Sequence, residues 1–160
     1  MVQEKEVWFC NMAVSNQPEF EDRVIQIKRI SKKTKGGSKF SFSALVAVGD
    51  KNGSIGVGFG KAPDVNSSIK KGISAARRNI VRIHKKDSTI AHEVRKKYKA
   101  SSVLLKPAPQ GSGVIAGGAI RDVVELVGIK DISAKMFGSN NKSCVVRCTV
   151  DALKLLKEVK

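Results

Sequence analysis

The chain has 160 residues, 41% hydrophobic but only 5% aromatic, and its 30 Lys plus Arg outweigh 14 Asp plus Glu to give a net charge of +16. This content excludes wholesale disorder and a large aromatic core, and the length suits one medium domain or two small ones, each marginal alone. A compact body with that surplus repels itself unless a polyanion offsets it, which points to nucleic acid, while no apolar run of membrane-spanning length, lipidation signal or secretory leader points to a membrane.

Residues 1–18 mix Trp8 and Phe9 with polar residues without a sustained period and read as a loose N-terminal extension. A first domain is expected over residues 19–84. Val24, Ile25, Ile27 and Ile30 suggest a strand over roughly 22–31, paired across a Lys-Gly-Gly loop with Phe40–Val48. Phe40, Phe42, Ala44, Val46 and Val48 share one side of a period-two repeat, the pattern of a strand with one buried face. From Arg23 to Lys39 there is no acidic residue. Asp50-Lys51-Asn52-Gly53 supplies a turn, since Asn-Gly tolerates positive φ. The returning strand, Ser54–Gly60, sets Ile55, Val57 and Phe59 on one face and Gly56, Gly58 and Gly60 on the other, where a backbone or ligand can approach closely.

Pro63-Asp64 marks a helix start, with Asp64 as cap. Val65, Ile69, Ile73, Ala76, Ile80 and Ile83 then follow a helical period. Lys71, Arg78 and Arg82 fall in a row opposite that stripe, with Lys70 and Arg77 beside them. The expectation is a positive charge gathered on one side of this domain. The residues assigned to nucleic-acid phosphates, which the resemblance below makes those of RNA, are Arg23, Lys28, Arg29, Lys32, Lys33, Lys35, Lys39, Lys61, Lys70, Lys71, Arg77, Arg78 and Arg82. Gly36 and Gly37 would let the loop approach the nucleic acid without a Cβ in the way.

A second domain is expected over residues 85–160, opening with a polar, basic linker and a strand near Thr89–Lys97. Val103-Leu104-Leu105 is a short strand ended by Pro107 and Pro109, and Gly111–Gly118 is a glycine-rich loop. Ile120, Val123, Val124 and Val127 make a helix stopped by Gly128. Ile132, Ala134 and Met136 alternate as a strand stopped by Gly138. Val145, Cys148, Ala152, Leu156 and Val159 line one face of a C-terminal helix behind the capping residues Ser139–Asn141.

Several of these motifs, in this order, carry a resemblance. Lys35-Gly36-Gly37, Phe40-Ser41-Phe42, Gly49-Asp50 with Gly53, and Gly56-Val57-Gly58-Phe59-Gly60-Lys61-Ala62 resemble the bacterial form of the small-subunit ribosomal protein five family. So do Lys106-Pro107-Ala108, the run Gly111–Gly118, Arg121, and Gly138-Ser139-Asn140-Asn141, and the likeness extends from about Glu19 to Lys160. It implies an α+β fold of two small domains: an N-terminal sheet plus helix similar to a double-stranded-RNA-binding domain, and a C-terminal βαβ-type domain with a left-handed crossover. It further implies a non-catalytic, cytoplasmic component of the small ribosomal subunit that binds ribosomal RNA, touches ribosomal proteins four and eight, and supports translational accuracy near the path by which messenger RNA enters. In that family the Lys32–Lys39 hairpin reaches toward RNA between body and head, and the region holding Gly111, Gly113, Gly117, Gly118 and Arg121 faces ribosomal protein four. Where family members often carry Arg, after the glycine pair and after the Asn-Gly turn, this chain has Ser38 and Ser54.

Other chemistry finds little footing. Gly60-Lys61 is followed by Ala62, and Ile55 stands where a phosphate-binding loop needs its first Gly. Gly111, Gly113 and Ala116 match a dinucleotide fingerprint with Asp131 downstream, but Pro107 and Pro109 interrupt the strand that should feed it. Cys144 and Cys148 lie a turn apart without a nearby His or a Cys-x-x-Cys pair, so they read as buried thiols of a reducing compartment; no metal, cofactor or catalytic constellation is expected. A free-standing RNA chaperone is the rival binding reading.

Overall fold

The run from Phe40 to Val48 lies within strand β2, Gly37–Gly49, in the computed structural model, which describes residues 20–156. The expected extension over residues 1–18, and Val159, fall outside those residues. β2 pairs antiparallel with β1, Glu21–Thr34, and with β3, Ser54–Ala62. Helix α1, Val65–Arg78, follows, and a short β4, Ile80–Arg82, adds to the outer edge of β3. The first sheet therefore runs β1-β2-β3-β4.

The glycines of β3 seat the helix. A Cβ on Gly60, Gly58 or Gly56 would collide with α1 backbone at Ser68, Gly72 and Ala76 respectively. Each missing side chain thus lets one more turn of α1 lie directly on the strand, antiparallel to it. Ala44, Val46, Val48 and Ala76 form the buried cluster beneath, flanked by Ile69 and Ile73.

α1 is shorter than its apolar stripe suggested. It ends at Arg78, and Ile80, Val81 and Arg82 pair with Gly56, Ile55 and Ser54 instead. β-branched Ile80, Val81 and Ile83 suit a strand, and the edge of β3 offered one a ladder. Arg82 therefore does not share a helical row with Lys71 and Arg78. Asp64 occupies the N-cap position, but its side chain makes no capping hydrogen bond.

The second sheet runs β5-β6-β8-β7, comprising Val94–Tyr98, Ser101–Pro107, Ile132–Gly138 and Val114–Ile115. Helix α2, Gly118–Val127, joins the parallel pair β7 and β8, giving the expected βαβ unit. Helix α3, Lys142–Leu153, closes the layer, its N-terminus capped by Asn141, whose side chain accepts the Ser143 N–H at 3.2 Å. α3 stops short of the expected Leu156, which is nevertheless buried, and β5 starts at Val94 rather than near Thr89.

The largest departure from the sequence pattern is that β2 is buried on both faces. From Ala44 to Val48 relative exposure is 0–4%. Leu45, Ala47 and Ile55 point away from α1 and join one core with Val123, Leu126, Val146 and Val150 of the second unit. Alternation had marked only the α1 side, because Leu45 and Ala47 lie between its apolar positions.

The turn after β2 fastens the two units. The Lys51 and Gly53 N–H groups donate to the Leu126 and Val127 carbonyls, both at 3.0 Å. These are last-turn carbonyls of α2, which have no partner within a helix. The Asp50 carboxylate shapes the turn by accepting the Asn52 and Ser54 N–H groups at 2.8 Å each. Positive φ falls on Lys51 and Gly53 rather than on Asn52. Gly128 ends α2 with φ +86°, and a Cβ there would strike the Lys51 carbonyl.

Gly128→Ala should therefore destabilise the whole chain: the left-handed backbone alone costs about 1–2 kcal/mol, and the contact with Lys51 adds to it. Calorimetry should show one transition moved to lower temperature. Two separate transitions would contradict a shared core.

Candidate nucleic-acid interface

β1 and β2 outrun the rest of the sheet. Past Ala62, which pairs with Phe42, no strand flanks them among the described residues, and residues 31–40 are all exposed. The result is a two-stranded arm whose tip is the two-residue loop Lys35-Gly36 between paired Thr34 and Gly37. Gly37 has φ +134°, while nothing lies within 4 Å of a Cβ built on Gly36 or Gly37. Gly37 is thus required by the backbone, whereas Gly36 leaves room for a side chain in this chain.

Cross-strand register fixes where the charges point. Lys28 faces Ser43, and Lys32 faces Lys39, on the side turned toward the second unit. Arg29 and Lys33 alternate onto the side shared with α1. The expected single basic side is therefore not what forms: adjacent Lys32 and Lys33 in a strand must point to opposite faces. What forms is an arm that is basic on both. Lys32 directly opposite Lys39 is a like-charge pair that destabilises a bare hairpin. Arg29 stacks on the Phe40 ring with its guanidinium carbon 4.0 Å from the centroid.

A second group of cations lies at the base. Lys61, Lys70, Lys71 and Arg78 line a shallow depression of about 380 Å³ between α1 and the free edge of β3, with Phe59 at its margin. Arg77 and Arg82 are exposed outside it. Phe59 shares a strand face with Ile55 and Val57, as expected, yet it is 53% exposed while Ile55 is buried. Alternation gives a residue's face but not where its cover ends.

Arg23 stands apart from the other cations. Its guanidinium lies 2.6 Å from Glu125 and 3.2 Å from Asp122 on α2, so it braces the two units. In sequence those carboxylates are about a hundred positions away, which is why Arg23 looked like one more member of the basic run.

The glycine-rich loop wraps one of the chain's own carboxylates. Gly111 and Gly113, both with positive φ, donate their N–H groups to Asp131 at 3.0 and 2.9 Å. The N–H groups that a dinucleotide phosphate would need are thereby occupied, which accounts for the fingerprint match without a nucleotide. Nothing lies within 4 Å of a Cβ built on Gly111, Gly113, Gly117 or Gly118. Arg121, also exposed, donates to the Val114 carbonyl at 3.2 Å. No cluster of three or more metal-ligating side chains occurs among the described residues.

Comparison with known proteins fits this architecture. Residues 20–84 match the family described as Ribosomal protein S5, N-terminal domain, and residues 96–160 that described as Ribosomal protein S5, C-terminal domain. The chain belongs to the ribosomal protein S5 family. It is similar to proteins named Small ribosomal subunit protein uS5 from Campylobacter jejuni subsp. jejuni strains 81-176 and 81116 and from C. jejuni strain RM1221. Each is 54% identical over 142 residues, covering 89% of this chain and 97% of the relative. The S5 family is one of RNA-binding ribosomal proteins within the translating ribonucleoprotein, and not of enzymes.

The Gly113 N–H, the Ser88 hydroxyl and the Gly111 N–H hold the Asp131 carboxyl below the ordinary aspartate range, against the opposing effect of burial. A depressed folded pKa contributes stability above the unfolded value, near about 4, and loses it as pH falls through the folded one. Asp131→Asn should thus be less stable than the parent at pH 7. In urea melts at a series of pH values, the gap should narrow steadily below about pH 4.

Proposed function

We propose that this chain is a component of the small ribosomal subunit, as its relatives' names describe, that it therefore works in the cytoplasm, and that the β1–β2 arm and the base of α1 bind ribosomal RNA. The observation that carries the reading is the arm: no acidic residue from Arg23 to Gly49, cations on both faces, and no cover from the other described residues. Lys28, Arg29, Lys32, Lys33, Lys35 and Lys39 would neutralise phosphates on two sides, so the arm suits a crevice between RNA segments better than a flat surface. Lys61, Lys70, Lys71 and Arg78 would hold the backbone in the depression beside the arm, while Arg77 and Arg82, exposed outside it, would add further phosphate contacts. Lysine-rich, base-indifferent contacts suit helical RNA, which is recognised mostly by shape and backbone. Gly36 at the tip leaves room for RNA to come close to the main chain.

The exposed loop from Gly111 to Gly118, with Arg121, would face a neighbouring protein; by resemblance that neighbour is ribosomal protein four, and ribosomal protein eight is a further partner. A place near the messenger entrance and a part in translational accuracy follow from the same resemblance.

Each phosphate contact adds about 0.7–0.9 to the slope of log affinity against log salt. The triple variant Lys32→Glu, Lys33→Glu, Lys39→Glu should keep its circular dichroism spectrum and lower the slope for small-subunit RNA by roughly two to three. A parent affinity that is flat from low to high salt would end the electrostatic reading. Gly36→Val should leave thermal stability unchanged yet reduce incorporation into reconstituted small subunits. Equal incorporation would mean that Gly36 shapes only the turn.

A further inference from the structure

The second sheet has one covered face and one bare one. α2 and α3 pack on the side carrying Val94, Val103, Leu105 and Ile132, all buried. Among the described residues no element covers the other side. Register places its side chains in rows: Lys97, Ser102 and Phe137 form one, and Arg95, Leu104 and Lys135 the next. Lys106 and Ser133 follow, with Ile115 of β7 beside them.

This face combines cations with exposed rings and alkyl groups. Phe137 is 42% exposed and Ile115 59% exposed. The Arg95 guanidinium lies over the Phe137 ring, 5.6 Å from its centroid. Arg95, Lys97, Lys106 and Lys135 are all exposed, and the acid beside them, Glu93, pairs with Lys106 at 3.5 Å. Arg95, Lys97 and Lys135 are left to frame Phe137. With strands about 4.8 Å apart and same-face residues about 7 Å apart along a strand, the patch from Arg95 to Lys135 and Phe137 measures roughly 10 by 7 Å. That area accommodates one unpaired base with a phosphate on either side.

We propose that the bare face of this sheet is a platform for single-stranded RNA, separate from the arm. A duplex presents its backbone, and its paired bases would leave Phe137 unused. Unpaired bases stack on aromatic rings and guanidinium planes while cations hold the phosphates, and any base supplies a π-face. Arg95 and Phe137 already make the stacked pair that a base would join, and Lys97 and Lys135 flank it on the same face. An acidic protein segment would satisfy the cations but gain nothing from the ring.

The test uses the full chain and a fluorescein-labelled ten-residue oligouridine, read by anisotropy. Phe137→Ala should weaken binding roughly tenfold, the lower-middle range for loss of one stacked base, with unchanged thermal stability; Phe137→Trp should keep parental affinity. Arg95→Gln with Lys135→Gln should lower the salt slope by roughly 1.4. The arm variant Lys32→Glu, Lys33→Glu, Lys39→Glu should change oligouridine affinity at about physiological salt less than twofold while losing small-subunit RNA. That arm variant separates failure here from failure of the arm reading. The platform is overturned if Phe137→Ala binds oligouridine like the parent. It is equally overturned if polyglutamate binds as tightly as oligouridine, or if the arm variant alone abolishes oligouridine binding.

Discussion

Five residues, Ala44 to Val48, hold this molecule together because both of their faces are covered. On one side Ala44, Val46 and Val48 meet α1, and on the other Leu45 and Ala47 enter the core shared with α2 and α3. A domain of this size buries only roughly 60% of the surface its unfolded chain exposes, so each unit gains from a shared core. A strand clamped from both sides lets two small cores behave as one. The turn that follows reinforces the clamp by giving α2 the hydrogen-bond donors its last carbonyls lack.

That anchorage also explains the arm. A two-stranded hairpin is only marginally stable in water. Here its lower half is the central strand of a buried layer, so the upper half inherits its direction and twist from a fixed base. Arg29 against Phe40 adds a stacked contact where the sheet no longer supports the strands. The cations can then be dense because they need not contribute to folding. Lys32 opposite Lys39 works against the hairpin and makes sense only beside something negative.

Much of this was legible in the sequence. The strand–turn–strand succession and the close approach to the glycine face of β3 follow from period and punctuation, whereas the βαβ unit was implied by the family resemblance, since β7 lies inside what reads as a glycine-rich loop. What was not legible had a common cause, namely contact between distant parts of the chain. Ile80 and Ile83 continue a helical stripe, yet the edge of β3 recruits the first of them into β4, a choice made by pairing and not by propensity. Leu45 and Ala47 lie off the marked face and disclose their burial only once the second unit is in place. Arg23 reads as one more basic residue until Asp122 and Glu125 are folded against it. In the arm, which cations are present was readable but their orientation was not. A charge count weighs Lys32 and Lys33 alike, while the pleat sends them to opposite sides.

The two-faced arm has a bearing on the order of events. A blade with cations along both flats is fully neutralised only when enclosed, and a crevice that has already shut offers no way in for the exposed two-stranded arm of residues 31–40. If RNA lines both flats, the protein must be seated while those walls are still apart, and its presence would set the gap at which they come to rest. The pleat of one hairpin would then serve as a spacer in the architecture of its partner.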